Sequence, residues 1–150
     1  MGGKLTFPGG GLYHATKHSL EALSDAMRFE VKRFGVDVIL IEPGLITTSF
    51  GTTAARELGA ATAGDGPYDE FNRAVGEATT ETYEKGLLSK LGGPPEAVAE
   101  KIESALKAKR PRARYTVTPS ARALLTLHAV LPDRGWDAML GSSFPQPGKG

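Results

Sequence analysis

A tyrosine and a lysine stand four residues apart in the stretch GGGLYHATKHSLEAL, which begins at Gly9. Side chains at positions i and i+4 of a helix project from the same face, one turn apart. An ammonium close to a phenol favours the phenolate, and so lowers the pKa of the phenol from its usual value of about 10. Tyr13 and Lys17 could therefore serve as a general acid/base pair for the oxygen of an alcohol or a ketone.

The same spacing also has a purely structural explanation. A tyrosine with a lysine four residues later arises easily by chance. A lysine in the first turns of a helix can also extend its ammonium into water along the protein surface. The elements around Tyr13 and Lys17 must therefore decide whether the pair is catalytic.

A long amphipathic helix is predicted over residues 12–34, and it carries the pair. One apolar stripe has three- and four-residue spacing, and a second apolar face lies beside it. The stripe is Leu20, Leu23, Met27, Val31 and Phe34, and the second face is Ala22, Ala26 and Phe29. Tyr13 and Lys17 fall on the side of the stripe, which is predicted to face inward.

A buried parallel strand is predicted over residues 36–42, VDVILIE, because this run is apolar on both faces. Pro43 and Gly44 end it. A second strand is predicted over 114–118, with helices over 68–91, 95–109 and 121–131, the last capped by Ser120, and a short helical piece over 136–140. Alternating helices and buried strands predict an α/β fold, and two strands are too few to cover these helices.

The composition excludes several classes of function. A net charge of +1 over 150 residues indicates neither a nucleic-acid partner nor an acidic one. There is no cysteine, which fits a cytoplasmic protein and excludes thiol chemistry. The apolar runs are too short for a membrane span. His14 and His18 share a helix face without an acidic third ligand, so no metal site is predicted.

Two segments together resemble the short-chain dehydrogenase/reductase family: FPGGGLYHATKHSLEALSDAMRFEV and VDVILIEPGLITTSF. The resemblance covers the YxxxK helix, the strand after it and the PGxIxT turn. It implies the C-terminal half of a Rossmann-like, doubly wound parallel sheet. It also implies hydride transfer between NAD or NADP and a small-molecule substrate, a lipophilic alcohol or ketone.

The resemblance assigns a role to each matching residue. Tyr13 is implied as the general acid/base, and Lys17 as the residue that lowers its pKa and binds the nicotinamide ribose. Pro43 and Gly44 are implied to form the turn beside the nicotinamide ring, and Ile46 and Thr48 to bind the carboxamide of that ring. The residues implied to contact the substrate are Phe7, Leu45 and Phe50. Residues 49–91 correspond to the substrate lid.

The chain departs from the family pattern at its N-terminal side. The glycine-rich dinucleotide motif and the asparagine motif have no counterpart, and the position of the family's serine falls just before Met1. We therefore expect residues 1–140 to form a truncated Rossmann-like domain that holds only the nicotinamide side of the cofactor. Residues 141–150 are expected to be a disordered tail, and the isolated chain is expected to be inactive.

Two other functions are considered, nucleic-acid binding and pairing with other proteins. The basic stretch KAKRPRAR at residues 107–114 could contact phosphates, but cations at a helix end also complement the helix dipole, and no nucleic-acid partner is predicted. The chain could instead be a non-catalytic interaction module that pairs with full-length relatives. Family members commonly form homo-oligomers through the YxxxK helix, and the second apolar face is compatible with such pairing.

Overall fold

The computed structural model describes residues 1–60, 66–85 and 87–147. Within them, the structure has seven α-helices and a sheet of two strands. The elements are α1 (Gly11–Glu30), β1 (Leu40–Glu42), α2 (Phe50–Ala60), α3 (Asp69–Glu84), α4 (Leu87–Lys90), α5 (Pro95–Lys107), β2 (Arg114–Thr116), α6 (Pro119–Val130) and α7 (Asp133–Ser143), with a 3-10 turn at Lys32–Phe34. The predicted α/β class is confirmed.

The two strands run parallel, as the sequence predicted. Leu40 pairs with Arg114, and Glu42 pairs with Thr116. Both strands are shorter than predicted, and Val36 is 52% exposed, so the expectation of a strand covered on both faces was wrong for its first half. Parallel strands bring their carboxyl ends to one edge, and this is the edge that bears the turn after Glu42.

The helix that was predicted over 12–34 is divided into two pieces. α1 ends at Glu30, and a 3-10 turn continues to Phe34. Gly35 follows in the left-handed region, at φ 74°, where its amide donates to the carbonyl of Lys32. A residue without a side chain adopts this conformation at little cost, so Gly35 ends the helical segment.

The main apolar core lies away from α1. Leu5, Leu124 and Trp136 are buried together, and they join the N-terminal segment to α6 and α7. Around them pack the partly buried side chains Met1, Phe7, Leu88, Leu125, Leu131, Met139 and Leu140. The last two helices and the N-terminal segment therefore build this core together.

Two details of the C-terminal region correct the sequence predictions. Thr118, rather than Ser120, caps α6, because its side-chain oxygen accepts the amide of Ala121 at 3.3 Å. α7 runs from Asp133 to Ser143, so the first residues of the predicted tail at 141–150 are helical. Residues 148–150 lie outside the described residues.

The predicted inward stripe of α1 faces solvent instead. Leu20 is 50% exposed, Leu23 60% and Phe34 81%, and Phe29 on the second apolar face is 84% exposed. The side turned toward the rest of the chain is polar, and it consists of His14, Lys17, Glu21, Ser24 and Arg28. The amphipathic pattern is present, but the face that the described residues cover lies about a quarter turn away from the apolar stripe.

Arg114 explains this orientation of α1. From β2 its Nε donates to Glu21 Oε2 at 3.0 Å, and a terminal nitrogen donates to Asp25 Oδ1 at 2.7 Å. Hydrogen bonds from Arg28 and then from Arg114 lower the pKa of Asp25. A planar guanidinium binds two carboxylates with fixed geometry, so these bonds orient the helix as well as attach it.

Glu42, at the end of β1, belongs to the same charge network. Its side chain is only 4% exposed and lies 3.4 Å from the Nε of Arg114. The Lys4 ammonium lies 2.8 Å from Glu42 Oε1, close enough for an ion pair although the geometry is not that of a hydrogen bond. The network therefore joins the N-terminal segment, α1 and both strands.

We predict that Arg114→Ala lowers the free energy of unfolding by about 1–3 kcal/mol, because partly buried carboxylates lose their charged donor. Urea unfolding measures this, with Arg122→Ala as the matched control, since Arg122 is exposed on α6. Equal unfolding midpoints for the two variants would contradict a role for Arg114 in holding α1.

Candidate functional site

Tyr13 and Lys17 lie in the first turns of α1, on the same face of the helix, as their spacing predicted. The Lys17 ammonium nitrogen is 5.4 Å from the centre of the Tyr13 ring. The Tyr13 side chain is 43% exposed, while Lys17 is half-buried. A cation and a phenol are therefore adjacent, and the phenol remains accessible to a ligand.

Two aromatic rings extend from Tyr13 into the predicted lid. The ring of Phe50, at the start of α2, lies 5.5 Å from that of Tyr13, and the ring of Tyr83 on α3 lies 6.1 Å from that of Phe50. The structure thus brings Phe50, a predicted substrate residue, to the pair. Tyr83 falls within the predicted lid, but the sequence assigned it no role of its own, so its place beside the site was missed.

Tyr83 is held in a confined position between α2 and α3. A Cβ added at Gly51 would lie 2.9 Å from the Tyr83 ring, so the absence of a side chain at Gly51 lets the two helices approach. Burial raises the pKa of Tyr83, and the nearby Tyr13 phenol adds to the rise. The Tyr83 phenol therefore stays protonated at neutral pH.

A small cavity opens next to this aromatic row. Its volume is about 220 Å³, somewhat below the range of typical small-molecule pockets. Its lining combines hydroxyl groups with one aromatic ring and one carboxylate: Thr47, Thr48, Gly51, Thr52, Thr80, Tyr83 and Glu84. Thr48, a predicted carboxamide contact, therefore faces the same cavity as Tyr83.

The turn after β1 is held by Gly93 on one side. The Gly93 amide donates to the carbonyl of Leu45, and the Thr47 amide donates to the carbonyl of Gly93, both at 3.0 Å. Ile46 lies between them, and within the described residues its own N–H and C=O have no hydrogen-bond partner in the chain. Thr48 accepts the amide of Phe50 at 3.3 Å and so begins α2.

Gly44 is confined by packing. A Cβ at this position would lie 2.2 Å from Thr118 Oγ1 and 2.6 Å from Ser120 Oγ, so no larger residue fits. The carbonyl of Pro43 accepts a hydrogen bond from the amino group of Met1 at 2.7 Å. The two residues predicted to lie beside the nicotinamide ring thus have structural partners of their own.

The other predicted substrate residues, Leu45 and Phe7, have structural partners of their own. Leu45 is 5% exposed, and its amide donates to Ser120 Oγ at 3.2 Å. The Phe7 ring packs against His14 at 5.8 Å and Trp136 at 6.1 Å, so it belongs to the edge of the apolar core. Phe50 is the predicted substrate residue whose ring packs against that of Tyr13.

The two helix histidines have structural partners. His14 is buried, and its Nδ1 lies 2.9 Å from the carbonyl of Gly2, while Nδ1 of His18 lies 2.9 Å from the carbonyl of His14. Among the residues that the structure describes, no group of three or more His, Cys, Asp or Glu side chains could hold a metal ion. In that same part of the chain, no helix has the length and apolar character needed to cross a membrane.

Comparison with known proteins places the chain in a family. A model of the short chain dehydrogenase family matches residues 1–59, the segment that contains Tyr13, Lys17 and the turn. The NADPH-dependent 3-dehydrocapnine reductase of Ornithobacterium rhinotracheale is 38% identical over 90% of the chain. The chain belongs to the short-chain dehydrogenase/reductase family.

Other relatives in this family extend the match. The uncharacterized oxidoreductase YbbO of Escherichia coli is 34% identical over 92% of the chain, and retinol dehydrogenase 16 of Rattus norvegicus is 30% identical over 99%. The matches cover 45%, 44% and 48% of the three relatives, respectively. The chain therefore spans about half the length of the curated relatives it matches.

The raised pKa of Tyr83 predicts a loss of stability at alkaline pH. The folded chain keeps a proton that the unfolded chain releases above about pH 10, so stability falls as the pH rises through that value. Tyr83→Phe removes this contribution and should lose less stability between neutral and alkaline pH.

Urea unfolding midpoints measured below and above about pH 10 check this prediction. Tyr68→Phe is the control, since the Tyr68 side chain is 57% exposed. If all three chains lost the same stability on the shift to alkaline pH, burial of the Tyr83 phenol would be contradicted.

Proposed function

We propose that this chain carries the acid/base and nicotinamide-binding part of an oxidoreductase. The reaction is hydride transfer between NAD(P)(H) and a lipophilic alcohol or ketone. The observation that carries the proposal is the adjacency of Tyr13, Lys17 and Phe50 beside the turn at the carboxyl edge of β1. Ligands of open parallel sheets bind at this edge.

Tyr13 supplies the proton chemistry. When the substrate is a ketone, the Tyr13 hydroxyl donates a proton to its oxygen; when it is an alcohol, the phenolate accepts that proton. The Lys17 ammonium lies 5.4 Å from the centre of the Tyr13 ring, and its three N–H groups can donate to ribose hydroxyls. Exposure of the Tyr13 side chain leaves its oxygen open to a substrate.

The turn supports a nicotinamide cofactor, which would supply or accept the hydride. The N–H of Ile46, which has no acceptor in the described part of the chain, is a donor for a carboxamide oxygen, as the family resemblance implied. The Thr48 oxygen accepts the Phe50 amide, so its hydroxyl hydrogen is available to a ligand. One relative is named for its dependence on NADPH, but NAD and NADP both remain candidates.

The aromatic row favours a lipophilic substrate. Phe50 and Tyr83 form an apolar wall that begins at the Tyr13 ring, and they belong to the segment 49–91 that we propose as the substrate lid. Retinol dehydrogenase 16, one of the relatives, is named for a lipophilic alcohol. The cavity also bears threonine hydroxyls, which could orient the substrate oxygen.

We further propose that the 150-residue chain has no measurable turnover by itself. Electrostatic stabilisation of a transition state is stronger where water is excluded from the site. The Tyr13 side chain is 43% exposed, so water is not excluded from it. Lys17 is also only partly covered. The pair is therefore placed for proton transfer but is not enclosed.

A second candidate function is that of an interaction module that pairs with copies of itself or with full-length relatives. The observation that favours it is the exposed apolar surface of α1, where Leu12 is 88% exposed and Phe29 84%. Exposed apolar patches of this kind mark interaction sites. Light scattering of the chain, alone and mixed with YbbO, separates this candidate from the first.

We predict that the isolated chain oxidises NADPH no faster than its Tyr13→Phe variant when lipophilic ketones are supplied. The measurement is loss of NADPH absorbance, with Tyr68→Phe as the control, because Tyr68 lies outside the aromatic row at Tyr13. Rapid turnover by both the unmodified chain and Tyr13→Phe would overturn the acid/base role of Tyr13.

The remaining outcome separates the two parts of the proposal. Rapid turnover by the unmodified chain and by Tyr68→Phe, with a loss of about 100-fold or more in Tyr13→Phe, supports the acid/base role. The same result contradicts the proposal that the isolated chain is inactive.

A further inference from the structure

Two buried hydroxyl groups lie at the start of α6, against the turn that follows β1. Thr118 is 2% exposed and Ser120 is fully buried. Their oxygens are 2.8 Å apart, and Thr118 Oγ1 also accepts the amide of Ala121. Buried hydroxyls need hydrogen-bond partners, so the arrangement of this pair is tightly constrained.

The pair contacts the turn directly. Ser120 Oγ accepts the amide of Leu45 at 3.2 Å, and the Ser120 amide donates to the carbonyl of Leu91 at 2.9 Å. Gly44 lies against the two hydroxyls, because a Cβ there would be 2.2 Å from Thr118 Oγ1. Thr118 and Ser120 therefore fix both the distance and the register of the turn relative to α6.

The direction of the Ile46 amide follows from these contacts. Ile46 forms an isolated parallel bridge with Gly93, in which the hydrogen bonds come from the residues on either side of Ile46, so its own amide and carbonyl point away from Gly93. Leu45 and Thr47 direct theirs toward Ser120 and Gly93. The N–H of Ile46 consequently points to the other side, where the described part of the chain provides no acceptor.

We propose that Thr118 and Ser120 are positioning residues for the nicotinamide side of the site. They hold the turn so that the Ile46 N–H faces a bound carboxamide, and they act through the backbone without touching the cofactor. The two hydroxyl groups leave no room for a side chain at position 44, so Gly44 lets the turn pack closely against the start of α6. The inference rests on the proposed function and adds residues that the family motif did not assign.

The test uses the full 150-residue chain and its Ser120→Ala and Thr118→Val variants. Ser104→Ala is the matched control, since Ser104 is exposed on α5. Thr118→Ser is the conservative variant, because it keeps the hydroxyl. Far-UV circular dichroism establishes that each variant is folded, and Thr118→Val decides the question if Ser120→Ala does not fold.

The first measurement is amide hydrogen exchange without any ligand. Loss of one hydrogen bond corresponds to an exchange increase of about 5–10-fold, and we expect it at Leu45 and Thr47 in Ser120→Ala. Thr118→Val should behave similarly, and Thr118→Ser and Ser104→Ala should match the unmodified chain. Unchanged exchange at Leu45 and Thr47 in both hydroxyl-deleted variants would overturn the inference.

The second measurement is a titration with nicotinamide mononucleotide, followed by the amide chemical shift of Ile46. We expect a shift in the unmodified chain, in Ser104→Ala and in Thr118→Ser, and a weaker response in Ser120→Ala and Thr118→Val. A full response in all variants overturns only the positioning inference. If no amide of the unmodified chain responds, the proposed function fails, and the inference fails with it.

Discussion

The bonds between Arg114 and the carboxylates of α1 determine where Tyr13 and Lys17 lie. Arg114 stands on β2 and binds Glu21 and Asp25, so the helix turns its polar side toward the sheet. Apolar residues of α1 such as Leu23 are exposed, and hydrophobic burial contributes little to this contact. A directional charge interaction therefore sets the rotation of the helix that carries Tyr13 and Lys17.

The rest of the site is assembled on the carboxyl edge of the sheet. β1 leads into a turn that is fixed by Gly93 on one side and by Ser120 on another. α2 begins directly after the turn and delivers Phe50 to the ring of Tyr13. The candidate site thus depends on contacts between segments that are distant in sequence, although its most recognisable residues lie within 1–59.

Local patterns in the sequence predicted much of this arrangement. The spacing of Tyr13 and Lys17 places them on one helix face, and the apolar run before Pro43 indicates a strand of a parallel sheet. Both expectations agree with the structure, and the family resemblance is confirmed by the comparisons. Each of these expectations depends on residues that are close together in the sequence, so the sequence alone was sufficient to predict it.

Other features depend on contacts that no local pattern contains. Arg114 and Glu21 are separated by 93 positions, and periodicity alone does not say which side of α1 the chain covers. The prediction of an inward apolar stripe was wrong for that reason. Tyr83 and Ser120 were missed as site residues because their roles come from Phe50, Leu45 and the confined glycines.

The central claim is that this chain binds a nicotinamide cofactor beside Tyr13 and Lys17. Its most direct test is the fluorescence of NADPH added to the unmodified chain and to Lys17→Met, with Lys32→Met as the control. We predict that Lys17→Met weakens binding by about 10–100-fold, because hydrogen bonds from a charged donor are lost, and that Lys32→Met binds normally. Equal affinity of all three chains for NADPH would contradict the account.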